Sequence, residues 1–183
     1  MNQASVKYPH ELQERGAQNP PVAHSAAIKP YSRVIETLKQ TFAERLETIV
    51  LFGSQARGKA RPDSDHDLFV VIKDLPQDPL ARVRTVRLAL LPILQDLPGA
   101  LSFIAKTPEE VQAGLTPLLL DVCTEGICLY GATYFEPYRQ KAVAALRQSG
   151  LRRRKVGQSQ MWLFPQIPRR DWELSWEGYH EGP

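Results

Sequence analysis

Ile49-Val50-Leu51-Phe52-Gly53-Ser54-Gln55-Ala56-Arg57-Gly58, continued by Ser64-Asp65-His66-Asp67-Leu68-Phe69-Val70-Val71-Ile72, is the stretch on which the reading of this chain turns. Two short, continuous apolar runs enclose a loop rich in Gly, Ser, Pro and charge. Runs of this length bounded by turn residues read as buried strands. The polar loop therefore leaves the end of one buried strand and enters the mouth of the next.

Each part of the loop has a chemical use. Gly53 lets the chain turn sharply and lets an anion approach the main chain. Ser54 adds a hydroxyl beside the free N–H groups of the turn, which together form a small anion nest. Arg57 supplies a positive charge suited to a polyphosphate. Asp65 and Asp67 are two residues apart, so a strand's period of two puts both carboxylates on one face. Such a pair can share one Mg²⁺ bound to phosphate oxygens. His66 falls on the opposite face and is not read as a ligand. A Gly-Ser turn alone is usually just a turn, and a lone Asp-x-Asp is usually a solvated loop. Their occurrence together between two buried strands is what carries weight.

The pattern Gly-Ser-x-x-Arg-Gly followed by Ser-Asp-x-Asp-Leu, with ten residues between Ser54 and Asp65, resembles the signature of the DNA polymerase β-like nucleotidyltransferases, and within them the minimal nucleotidyltransferase branch. The resemblance covers roughly residues 31–131, including Thr107-Pro108-Glu109-Glu110 and the ending Glu125-Gly126 to Leu129-Tyr130-Gly131. It implies an α/β (α+β) nucleotidyltransferase fold with a mixed sheet flanked by helices. It implies Gly53 and Ser54 on the triphosphate, Asp65 and Asp67 as catalytic metal ligands for Mg²⁺, and transfer of a nucleoside monophosphate, AMP from ATP, to a hydroxyl. Many members of the branch resemble antitoxins that pair with a helical HEPN-type toxin, and some add AMP to that partner.

One position departs from the family pattern. Active members carry a third carboxylate on a later strand, and counting back from Thr107 places it near Ser102. A serine cannot act as a metal-binding general base in the same way. Asp96 and Asp121 do not fit the spacing. Three alternatives stay open: the base comes from elsewhere, the substrate supplies it, or the chain is a weak or inactive nucleotide-binding module that acts by gripping a partner protein.

Outward from this core, residues 1–30 are polar, contain Pro9, Pro20, Pro21 and Pro30, and read as a mobile arm. Residues 31–135 read as the nucleotidyltransferase domain. Tyr31, Val34, Ile35, Leu38 and Phe42 mark one helix, and Leu80 to Leu94 a second that Pro92 bends or ends. Leu101 to Ala105 reads as a third strand, and Thr107-Pro108-Glu109-Glu110 as a helix start. Leu115 to Val122 is helical, and Ile127 to Tyr130 is a short strand. Residues 136–183 add a helix ending at Gly150, a basic linker at Arg152-Arg153-Arg154-Lys155, and two aromatic strands, Met161 to Phe164 and Trp172 to Trp176, expected to pair as a hairpin.

Charge is unevenly spread. Residues 139–170 hold nine Lys or Arg and no acid, so with a net charge of +3 the remainder carries 3 − 9 = −6. The basic run could be solvated, steer a triphosphate, dock an acidic surface, or bind nucleic acid with the tryptophans by charge and stacking. The simplest place for the tryptophans is against the core. Cys123 and Cys128 read as reduced core thiols. His10, His24 and His180 lie in expected tails without metal-site spacing. Without an apolar membrane-length run or a signal pattern, cytoplasmic location is the default expectation.

Overall fold

The two apolar runs flanking the Gly53–Asp67 loop become neighbouring strands. The computed structural model describes residues 28–96, 99–157, 159–166, 168 and 171–181. β1 (Leu46–Phe52) and β2 (His66–Ile72) run antiparallel, with Phe52 opposite Asp67. β3 (Leu101–Lys106) lies parallel to β2, with Asp67 opposite Ser102. β4 (Ile127–Tyr130) pairs antiparallel with β1, giving a mixed sheet of order β3-β2-β1-β4.

The strands are apolar on both faces because helices cover both. On one face Ile49, Leu51, Leu68, Val70 and Ile72 pack with Val34, Leu38 and Phe42 of α1 (Ser32–Phe42). After the four-residue α2 (Gly53–Ala56), α3 (Pro79–Leu90) adds Val86 and Leu90 to the same layer. On the other face Val50, Phe69 and Val71 meet α4 (Pro108–Gln112), α5 (Pro117–Glu125) and α6 (Ala132–Ser149). A parallel β2–β3 pair needs a crossover, and α3 with a 3₁₀ segment at Leu91–Asp96 supplies it. Pro92 sits in that tighter segment, where the α-helix ends. Asp78 caps α3 by accepting from the Ala81 N–H at 2.7 Å. Thr107 and Glu110 form a reciprocal capping box that starts α4 directly after β3. Cys123 is buried and Cys128 half-buried, both free thiols, and burial pushes the Cys123 thiol up to about 12. None of the described helices is long and apolar enough to cross a membrane.

The C-terminal part departs from the expected pairing. The basic run is not a linker but β5 (Arg152–Val156), and its partner is β6 (Ser159–Leu163). β7 (Trp172–Ser175) pairs with β8 (Gly178–Glu181). The two aromatic strands therefore belong to separate hairpins. Each pairs with its sequence neighbour through a two-residue connection, which costs less chain entropy than joining the aromatic strands across a longer loop. Gly157, at φ +61° in the first connection, adopts the left-handed conformation that tight hairpin turns require. His180 consequently lies in β8 opposite Glu173 rather than in a tail. The N-terminal arm lies outside the described residues up to residue 27, His10 and His24 included.

Candidate active site

Gly53 and Asp67 meet where β1 ends and β2 begins. Gly53 has φ +72°, and a Cβ built on it would stand 2.2 Å from the Asp67 Oδ2 atom. The Asp67 carboxylate is therefore laid against bare main chain at the start of α2. The first N–H groups of any such helical turn lack intrahelical partners, so free main-chain donors and an acid come close together here. Asp65 lies exposed in the loop just before β2.

Electrostatics tie the acids to each other. The Asp67 carboxyl is held above its ordinary value, first by burial and then by the charge of Asp65. A hydrogen bond from the Ser102 hydroxyl, the positive charge of Arg57 and His66 pull the other way. Two adjacent carboxylates, one of them partly desolvated, form a site that a divalent cation would relieve. Asp65 and Asp67 together offer the one or two carboxylates that Mg²⁺ takes when substrate phosphates supply further oxygens, so the residues present fit such an ion. Among the described residues no group of three or more His, Cys, Asp or Glu is placed to hold a metal. Ser102 stands beside Asp67 in the parallel register, close to where the family resemblance implies a third acid.

The loop between α2 and β2 is held by its own polar groups. The Gln55 amide donates to the Ser64 carbonyl at 3.2 Å, and the Ser64 hydroxyl accepts from the Arg61 N–H at 2.8 Å. The Ser54 carbonyl accepts the Lys59 N–H at 3.0 Å. His66 turns to the opposite face, where its Nδ1 shares a 2.7 Å hydrogen bond with the Tyr31 hydroxyl. Burial raises the Tyr31 phenol to about 12, so it stays a neutral hydroxyl.

Arg57 lies in the same loop, but its guanidinium bonds Glu125 Oε2 at 3.2 Å. Glu125 also meets the Arg153 guanidinium. Arg153 continues to Asp121 at 3.3 Å, and Asp121 accepts from the Trp162 indole N–H at 2.8 Å. One basic residue of the C-terminal run is thus spent on the acidic face of α5, inside the chain. This network was not visible in the sequence. The only hint was two acids four apart on α5, Asp121 and Glu125, which share one helix face. Trp176 is buried with its indole donating to the Val111 carbonyl at 2.8 Å, while Trp172 is half exposed against Phe164.

Arg153→Ala should release the β5–β6 hairpin, because a charge-assisted bond of this kind contributes about 1.5–3 kcal/mol. Amide hydrogen exchange across residues 152–163 should accelerate at least tenfold while β1 and β2 keep their protection. Unchanged exchange in β5–β6 would show that this arginine does not anchor the hairpin.

The family model described as polymerase beta, nucleotidyltransferase, matches residues 33–132. The chain belongs to this nucleotidyltransferase family. Its chemistry is therefore nucleotidyl transfer, and the Gly53–Asp67 loop falls wholly inside the matched region. A relative from Methanocaldococcus jannaschii, provisionally named a protein adenylyltransferase, is 31% identical over 102 residues, 55% of this chain and 69% of that one. A crystal structure of a toxin–antitoxin with AMP-PNP is similar at TM-score 0.44 and 24% identity, over 63% of this chain and 85% of that chain. A tri-AMPylated HEPN toxin of Shewanella oneidensis in complex with its MNT antitoxin gives TM-score 0.42 and 20% identity, over 67% of this nucleotidyltransferase and 87% of that chain.

Proposed function

We propose that this nucleotidyltransferase moves AMP from ATP to a hydroxyl on a partner protein, with Mg²⁺ held by Asp65 and Asp67. The observation that supports the reading is the Asp67 carboxylate lying against Gly53, with the Asp65 charge bearing on it. The relative named for protein adenylylation supports the acceptor class. The resemblance to the minimal branch points to a HEPN-type helical protein as the partner.

In this reading Gly53 leaves room for a phosphate at the main chain, and Ser54 donates to it from the same turn. Arg57, half-exposed beside the site, can exchange Glu125 for a phosphate oxygen without leaving its loop. A metal held by Asp65 and Asp67 would neutralise charge on the phosphate oxygens and so ease the approach of a nucleophile to the α-phosphorus. The acceptor oxygen forms a bond to the α-phosphorus, the α–β bridging P–O bond breaks, and pyrophosphate leaves. Ser102 donates its hydroxyl to Asp67 and takes no proton. The acceptor's proton goes instead to the phosphate, to solvent or to a base that the acceptor carries.

Ser102 also favours a second reading, in which the chain retains nucleotide and grips its partner without modifying it. One assay separates the two. The full chain is incubated with Mg²⁺, ATP labelled at the α- or the γ-phosphate, and a HEPN-type helical protein as acceptor. Label from the α-position on the partner, and none from the γ-position, is the expected result. Measurable ATP binding with no transfer would overturn the transferase reading in favour of the binding one.

A further inference from the structure

β3 is an edge strand of the described sheet, and the direction of its backbone groups can be fixed. The His66 N–H donates to the Ala100 carbonyl at 2.8 Å. Backbone groups alternate sides along a strand, so Ser102 and Ile104 also face β2, while Leu101, Phe103 and Ala105 turn outward. Ala105 obeys this, since its carbonyl accepts the Arg82 guanidinium at 3.4 Å. Among the described residues the main-chain groups of Leu101 and Phe103 have no partner, which leaves a short run of open positions.

Beside this edge lies a cavity of about 210 Å³ between α3 and β3. Val83, Leu90 and Leu94 form its far wall, Leu101 to Phe103, with Ser102 between them, its near wall, and Arg87 its polar rim. Val83 is 44% exposed although it faces apolar neighbours. From Pro79 to Gln95 the chain carries Arg82, Arg84 and Arg87 and no acid. Arg82 is committed to Glu110 at 2.7 Å, whereas Arg84 and Arg87 are exposed. The track is therefore apolar inside and positive outside.

Its geometry connects to the active site. The side chains of Leu101 and Phe103 point to the α3 layer, and that of Ser102 points to the other face, toward Asp67. A strand added alongside β3 would alternate in the same way. Its residue beside Ser102 would project onto the Asp67 face, and the residues on either side would project into the cavity.

We propose that the outer edge of β3 and the adjoining α3 groove are the docking track for an extended segment of the acceptor protein, of pattern apolar–hydroxyl–apolar with acidic residues beyond. The main chain of β3 supplies affinity, the cavity fixes register, and Arg84 and Arg87 select acidic flanks. The inference rests on the transfer of AMP to protein proposed above.

The test uses the full chain and a fluorescent nine-residue peptide with a Val-Ser-Val centre and glutamate flanks. A second peptide has the serine moved by one residue. Anisotropy without ATP reads docking alone. Val83→Glu, at an exposed position, should weaken binding of the first peptide at least tenfold, and the double variant Arg84→Glu, Arg87→Glu at least fivefold. ATP binding should be the same in all three proteins. With labelled ATP and Mg²⁺ added, the first peptide should take label and the shifted one should not. No binding of the first peptide, binding indifferent to all three substitutions, or equal labelling of the two peptides would overturn the docking track. Binding that responds to the substitutions with no labelling of either peptide would leave the track standing and sink the transferase reading instead.

Discussion

Asp67→Asn should lower nucleotidyl transfer on the order of a thousandfold, about 4 kcal/mol of transition-state stabilisation, while raising the melting temperature. The two effects have one cause. The Asp67 carboxyl is held above its ordinary value by burial and by Asp65, so its charged form is unfavourable in the folded chain at neutral pH. Asparagine keeps the shape and can still accept the Ser102 hydroxyl, but it removes the charge. Repulsion with Asp65 disappears and so does half of the proposed cation site. Activity falls as stability rises, the expected trade at a strained functional group. Transfer of α-label and a thermal melt on the same preparation measure both. A variant that lost activity through misfolding would melt earlier, and one that kept activity would remove Asp67 from the chemistry.

The central sheet was largely legible because its strands are short apolar runs bounded by turn residues. Ile49 to Phe52 and Leu68 to Ile72 fall inside β1 and β2. The structure extends both by residues such as Glu47 and Asp67, whose polarity hides them from a hydrophobic count. Asp67 is the instructive case. It reads as loop by composition, yet ladder pairing with Phe52 and Ser102 makes it strand. That same pairing puts Ser102 beside it, so the position singled out by spacing from Thr107 is a real neighbour. The C-terminal hairpins were read less well. Four consecutive basic residues carry no strand signal in themselves, because β5 is defined by what Arg153 reaches rather than by buried apolar surface. Asp121 and Glu125 are its docking site, far away in sequence, and no local pattern announces such a match. The Arg57 interaction with Glu125 was hidden for the same reason.

Gly53→Ala should reduce transfer on the order of a hundredfold without unfolding the chain. Alanine at φ +72° costs about 1–2 kcal/mol in backbone strain. The larger consequence is local. The new methyl would stand 2.2 Å from Asp67 Oδ2 and 3.1 Å from its Cγ, far inside contact distance. The carboxylate is the end of a side chain, so it yields by rotating rather than by breaking the strand. Rotation takes it away from the Ser102 hydroxyl and from its place beside Asp65. A misplaced catalytic group is costly out of proportion to the movement. The methyl also occupies the space through which an anion would approach the main chain. The substitution should therefore raise KM for the triphosphate as well as lower kcat. A double-variant cycle isolates the cause: on the Asp67→Asn background Gly53→Ala should cost little further kcat, since the carboxylate geometry it disturbs no longer matters, while the rise in KM persists. Full additivity in that cycle would mean that glycine serves the nucleotide alone and that its contact with Asp67 is incidental.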